Sequence, residues 1–412
     1  MKKMSLKRRE DPLWNSPNVT LRRVHRCRTY VGRLLVLVTL LFVGMNLQLF
    51  TPASIANIRS SLKAASVRSA EDMTVVSYPS GSSKSMMPFG NGLAICSDNS
   101  LSFELPGKYA QMETNLSYAN PVMRASNQYL LVFDRGAYRF TVTNTLNELY
   151  SQTVSSPITN ADIAANGNVA IVTDEAGYKS AVRVYNVDNE HLYTWSTNNC
   201  YIMSAALSSD GQRLALFCFQ QDGLTLTSKL LFADINSDKQ PSESDDGVDM
   251  NGNLVLGMKF LGNNTVCAVC DGATYVVSRG GQIKYQKDYS SDDLIAFDLT
   301  NDCLALATEA YSQTGRAEVV LINARGTASR KPLYLPEQPD GVSYCDGRLA
   351  VTTGETVTFY SKSLKEIDSQ TGLTGLSRVY MRSGGSAIAL FNSQARVLTI
   401  GSPLEDLRSS SD

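Results

Sequence analysis

Asn168-Val169-Ala170-Ile171, Arg213-Leu214-Ala215-Leu216 and Arg348-Leu349-Ala350-Val351 are copies of one short phrase: a turn-proximal polar residue, Leu or Val, a small Ala, and another branched apolar side chain. A run this short and this apolar suits a strand covered on both faces. Further copies are Gly92-Leu93-Ala94-Ile95, Tyr129-Leu130-Leu131-Val132, Thr265-Val266-Cys267-Ala268, Cys303-Leu304-Ala305-Leu306 and Ala387-Ile388-Ala389-Leu390, making eight. Counted from the first apolar position, successive copies are 37, 39, 45, 52, 38, 45 and 39 residues apart, a mean of about 42. That spacing falls within the roughly 40 to 45 residues of a four-stranded propeller blade.

The companions of the phrase repeat as well. A second β-rich run follows each turn, as in Tyr138-Arg-Phe-Thr-Val142, Val182-Arg-Val-Tyr185, Val319-Val-Leu-Ile322 and Val357-Thr-Phe-Tyr360. A further strand tends to carry Tyr, as in Leu149-Tyr150, Leu192-Tyr193, Ile283-Lys-Tyr285 and Leu333-Tyr334-Leu335. The phrase is expected to be the inner strand, its small Ala letting neighbouring sheets approach near the axis. The last repeat lacks an outermost strand, because Arg396-Val-Leu-Thr-Ile400 is followed only by a polar tail. Met73-Thr-Val-Val-Ser-Tyr78 belongs to no repeat and could supply it, removing the open edge that a sheet otherwise exposes.

The expected fold class is all-β: a β-propeller of eight, alternatively seven, four-stranded blades, preceded by one N-terminal transmembrane helix. These phrases resemble those of bacterial WD40-like and quinoprotein-like propellers. The whole plan is similar to that of uncharacterised membrane-anchored propeller proteins of Gram-positive bacteria, over roughly Asp72 to Gly401. The chain departs from true WD40 repeats in having no Trp-Asp dipeptide or Gly-His pair; its Trp residues are Trp14 and Trp195. The resemblance implies fold and placement and leaves activity open.

Placement rests on the apolar run Leu34 to Phe50. From Tyr30 through Phe50 only Arg33 is charged, and about 20 apolar residues cross a bilayer as a helix. Ten Lys or Arg precede or begin that segment, and the next basic residue is Arg59. The amino terminus is therefore expected in the cytoplasm and the chain after Phe50 outside it. A cleaved signal peptide is the competing reading, but the basic region exceeds thirty residues and the best cleavage match is Thr51-Pro52-Ala53. The expected boundaries are a basic cytoplasmic segment 1–29, a signal anchor 30–50, a stalk 51–71, the propeller 72–401 and a polar tail 402–412. Membrane lipid is one expected partner, through residues 30–50.

The whole-chain charge of −1 hides an asymmetry. Beyond Phe50 there are 28 Lys plus Arg against 37 Asp plus Glu, an excess of about nine negative charges. Such a surface repels phosphate backbones, so nucleic acid is not an expected partner. Of eight Cys, seven lie beyond the anchor, and most sit in apolar runs where Cys acts as a small buried hydrophobe. Cys267-Ala-Val-Cys270 matches C-x-x-C, yet residues three apart on a strand point to opposite faces.

His25 and His191 are the only histidines, which argues against Ser/His triads and His-based zinc sites. No G-x-S-x-G occurs, and Ser60-Ser-Leu-Lys63 stands alone without the other motifs of its enzyme class. Acids do recur. Seven of the eight repeats place one in the turn after the phrase: Asp98, Asp134, Asp174 beside Glu175, Asp222, Asp271, Glu309 and Glu355, with Asn392 in the eighth. These could form an acidic ring at the channel mouth, or each could serve its own turn through side-chain bonds to local N–H groups. Asp249-x-Asn251-x-Asn253 resembles the start of a calcium loop but lacks the following Gly and the terminal Glu, so Asn236 to Asn253 is expected to be a solvated loop. No cofactor is expected, and whether any metal binds is open. The expected function is a receptor-like or scaffolding module binding a protein or envelope polymer; the alternative is an envelope lyase or hydrolase using mouth carboxylates.

Overall fold

The computed structural model describes residues 18–45, 74–78, 85–97, 99–106, 109–126, 128–237, 239–241, 247–290, 293–312 and 315–401. The chain divides into two compact units, Met1–Ile58 and Arg59–Asp412. In the first, a helix runs Val19–Met45. Asn18 caps it, its side-chain oxygen accepting the Thr20 and Leu21 backbone N–H groups at 3.0 and 3.4 Å. Among the described residues, no helix is long and apolar enough to cross a membrane. The expected crossing segment runs past them: its backbone is described to Met45 and its side chains to Val38.

The described part of the second unit forms eight four-stranded antiparallel sheets. Blade 1 comprises Ser85–Phe89, Gly92–Cys96, Ser100–Leu105 and Tyr109–Asn115. Blade 2 comprises Pro121–Ser126, Tyr129–Asp134, Arg139–Asn144 and Glu148–Thr153, and blade 3 Ile158–Ile163, Val169–Thr173, Ser180–Tyr185 and His191–Thr197. Blade 4 is Tyr201–Leu207, Arg213–Asp222, Thr225–Asp234 and Val248–Asp249; blade 5 is Val255–Leu261, Thr265–Cys270, Ala273–Ser278 and Ile283–Asp288. Blade 6 is Leu294–Leu299, Cys303–Ser312, Gly315–Asn323 and Leu333–Leu335; blade 7 is Gly341–Cys345, Arg348–Thr353, Thr356–Ser361 and Glu366–Gln370. Blade 8 has three strands of its own, Leu376–Met381, Ser386–Phe391 and Gln394–Thr399. Its fourth is Thr74–Ser77, antiparallel to the last, with Thr74 opposite Arg396 and Ser77 opposite Gln394. The Tyr78 N–H extends the pairing to the Ser393 carbonyl at 2.8 Å, and Val75 is fully buried. Eight blades, not seven, close the ring, with the strand expected from the other end of the sequence.

Two expectations need correcting. The recurring phrase is the second strand of each blade, not the innermost. First strands of neighbouring blades touch each other around the axis, whereas the second strand has a strand on either side within its sheet and a blade over each face. That full enclosure is why it is the most apolar: Leu93, Leu130, Val169, Leu214, Val266, Leu304, Leu349 and Ile388 are all fully buried. Second, the polar stretch Asn236 to Asn253 is not solvent loop throughout. Val248 and Asp249 pair with Leu230 and Lys229 as the fourth strand of blade 4, and the Asn251 and Asn253 amides donate to the Tyr275 hydroxyl at 3.3 and 3.0 Å.

Each pair of neighbouring blades encloses its own apolar cluster. Leu214, Leu216 and Trp195 join blades 3 and 4; Phe217, Phe260 and Tyr275 join 4 and 5. Val75, Leu93, Ile95, Ile388 and Val397 join 8 to 1. Burying each such Leu, Val or Phe stabilises by about 1.5 to 3 kcal/mol, so most of the stability lies between sheets. Polar latches add to it at the turns joining first to second strands. The Asn168 amide donates to the Gly211 carbonyl at 3.0 Å, and Arg348 reaches the Gly385 carbonyl at 3.2 Å. Gly211 has φ +66° and a Cβ there would lie 2.4 Å from the Asn166 amide, so only glycine fits.

Candidate functional site

The channel is built by the first strands, which mix polar and charged residues with apolar ones. Each first strand is a sheet edge, with one side paired and the other facing the axis. Across from the second position of the phrase (Ala94, Leu131, Ala170, Ala215, Cys267, Ala305, Ala350 and Ala389), the first strands place Met87, Arg124, Asp162, Ala206, Lys259, Asp298, Ser343 and Val379. Four of these eight equivalent positions are charged, and the sign alternates in blade order: Arg124, Asp162, Lys259, Asp298. Arg378 stands one residue earlier in blade 8 and is exposed.

The two acids do the same work at the same register. Asp162 accepts the Leu207 backbone N–H at 2.8 Å, and Asp298 accepts that of Tyr344 at 2.7 Å with the Ser343 hydroxyl at 3.2 Å. Each ties its blade to the first strand of the next. Burial raises both carboxyls above their ordinary pKa, and the nearby Lys259 charge with these bonds counters that only in part. Burial likewise lowers the Arg124 guanidinium from its ordinary value, against the opposing pull of Asp162.

Two cavities occupy the channel. A cavity of about 870 Å³ opens toward the turns between first and second strands, bordered by Arg124, Lys259, Asp298, Arg378, Arg382 and Asp346 among others. One of about 500 Å³ lies toward the opposite rim. Asp298, Ser343, Arg378 and Tyr380 border both and mark the waist between them.

The described acids among those expected at the mouth lie elsewhere: they sit at or near the junctions of second and third strands, a full strand outside the channel. Asp134 is buried and accepts the Ala119 and Asn120 N–H groups at 3.1 and 2.7 Å. Asp271 accepts those of Leu254 and Gly272, both at 2.9 Å. Glu309 accepts from the Gln338 amide at 2.5 Å and Glu355 from the Thr374 hydroxyl at 3.4 Å. Asp174 is exposed, while its neighbour Glu175 pairs with Arg183 at 2.8 Å, which lowers the Glu175 carboxyl. Asp98, Asp245, Asp246 and Ser60 to Lys63 lie outside the described residues, as does the Asp222 side chain; the Asp222 backbone ends the second strand of blade 4. Among the described residues, no three His, Cys, Asp or Glu gather as metal ligands would.

Cys267 and Cys270 are free, buried thiols, and burial raises both, the latter to about 12. Neither is a nucleophile at neutral pH. The channel charges do not stand out in the sequence, because the acids that recur there come after the phrase. The available signal precedes it: one lone charge six or seven residues ahead of the first apolar position in blades 2, 3, 5 and 6.

Residues 66–394 match the model of a family described as "Family of unknown function (DUF5711)". No curated protein matches the chain. Among solved structures, the C-terminal WD40 domain of Sif2 is similar with TM-score 0.52 at 13% identity, covering 80% of this chain and 98% of that one. A eukaryotic initiation factor is similar with TM-score 0.52 at 13% identity, covering 79% and 85%. BamB from Moraxella catarrhalis covers 80% and 97% at 12% identity, with TM-score 0.48. At these identities the likeness is one of fold.

Proposed function

The chain belongs to the DUF5711 family, and we propose that it is a membrane-anchored, extracytoplasmic binding module that holds a protein partner in or over its channel. The observation that carries this reading is the waist itself. Charged side chains from separate blades converge there on a preformed cavity, which suits recognition of an extended polar ligand. Among the described outer-rim acids, Asp134, Asp271, Glu309 and Glu355 already accept hydrogen bonds from within the domain. Anchoring is supported by the apolar run after Tyr30 and the ten basic residues up to Arg33; that charge bias favours an amino terminus in the cytoplasm and a propeller outside, as in the Gram-positive propeller proteins the sequence resembles.

Full-length chain carrying an affinity tag, extracted in mild detergent from membranes of its own cells, is expected to bring down a partner in fixed stoichiometry. Isolation of the chain alone, together with turnover of glycan or peptide substrates, would replace this reading with that of an envelope enzyme. Protease added to intact spheroplasts is expected to digest the propeller and spare an amino-terminal tag; protection of the propeller would reverse the orientation.

A further inference from the structure

We propose that the wide end of the channel is a site for an acidic peptide segment, in which carboxylates alternate with apolar side chains. The inference rests on the reading of the domain as a protein-binding module and names where, and by what chemistry, the partner is held. The first argument is a contrast of charge. The chain beyond Phe50 carries an excess of about nine negative charges, yet the 870 Å³ cavity is bordered by Arg124, Lys259, Arg378 and Arg382 against Asp298 and Asp346. A cationic recess within an acidic body selects anions and orients them inward.

The second argument separates a peptide from other polyanions. Met86 and Met87, both half-buried, border the same cavity as the cations, and Met side chains adapt to varied apolar neighbours. A phosphate polymer has no use for them. Asp298 at the waist repels densely spaced phosphates, whereas an amide N–H can donate to it. Arg378 is placed to receive a carboxylate: it is exposed, lies over the Tyr380 ring at 5.5 Å, and donates to the Tyr380 hydroxyl at 3.2 Å.

The test is fluorescence anisotropy with the full-length chain and a labelled eight-residue peptide of alternating Glu and Leu. A Lys-Leu peptide of equal length and sodium polyphosphate serve as competitors. Wild type is expected to bind the Glu-Leu peptide, more weakly as salt rises, and Arg378→Gln to bind it about tenfold more weakly, the loss of one charge-assisted bond. Because Arg378 is exposed, that variant should melt with wild type; Lys259→Met, facing two acids, is the second probe and should weaken binding as much or more. Equal binding by wild type and Arg378→Gln, preference for the Lys-Leu peptide, or tighter competition by polyphosphate would each overturn the proposal. If the tagged chain still captures its partner in the Arg378→Gln background at wild-type yield, the module reading stands and this site assignment falls.

Discussion

Asp134 and Asp298 are both partly or wholly buried carboxylates that accept backbone N–H groups, and they differ in whose backbone they hold. Asp134 bonds Ala119 and Asn120, which lead into the first strand of its own blade. Asp298 bonds Tyr344 of the following blade and does so at the rim of a cavity. The first kind completes a sheet and the second joins sheets. The contrast teaches that an acid recurring in a repeat protein is informative only once its bonding partner is known, because turn closure and channel lining use the same residue type. It also assigns different costs to losing each.

The closing strand is the severest test, since it completes one sheet and joins two. Deleting Thr74–Ser77 exposes the edge of Gln394–Thr399 and removes Val75 from the cluster between blades 8 and 1. The chain is expected to lose cooperative melting or to melt well below one truncated after Gly401, and coincident melting curves for the two would break the closure model.

Asp134→Ala comes next. It leaves two N–H groups without their acceptor and should cost about 2 to 4 kcal/mol, read from urea unfolding. Asp134→Asn keeps one acceptor and should recover much of that.

Asp298→Asn should act chiefly through pH. The folded-state pKa of Asp298 is raised by burial, so folding favours the protonated form. The native chain is penalised progressively as pH rises from about 4 through the folded pKa. The Asn variant does not ionise, so its melting temperature should fall less over that interval than that of wild type. Parallel profiles would mean that Asp298 behaves as the rim acids do.

The smallest effect is expected for the exposed rim. Replacing the exposed Asp174 and Glu355 by Asn should shift stability by about 0.5 kcal/mol or less. Adding millimolar calcium should then move neither protein. A calcium-dependent rise in melting temperature confined to wild type would restore the rim acids as a cation ring.

The propeller was legible because a strand enclosed on all sides tolerates only one kind of sequence. Leu214-Ala215-Leu216 and its copies cannot vary in polarity without leaving a buried group unsatisfied, so their spacing survives while everything around them drifts. The first strands have no such constraint. Pro121–Ser126 and Leu294–Leu299 mix Arg, Asp, Met and Phe because one edge faces a cavity, and neither alternation nor a turn motif marks them. The waist was therefore invisible as a site although each of its residues was in plain view. Val248–Asp249 was unreadable for another reason: a two-residue strand carries no period.

The composite eighth blade makes the propeller a circle in sequence as well as in space. Thr74 pairs opposite Arg396, three residues before the end of Gln394–Thr399, so a short linker from Gly401 back to Thr74 would leave the ring without ends. New ones could then be cut at the Gly223-Leu224 hairpin tip, where Leu224 is fully exposed. Such a circular permutant would begin and finish in blade 4, which would become the sheet stitched from both termini, while blade 8 became continuous.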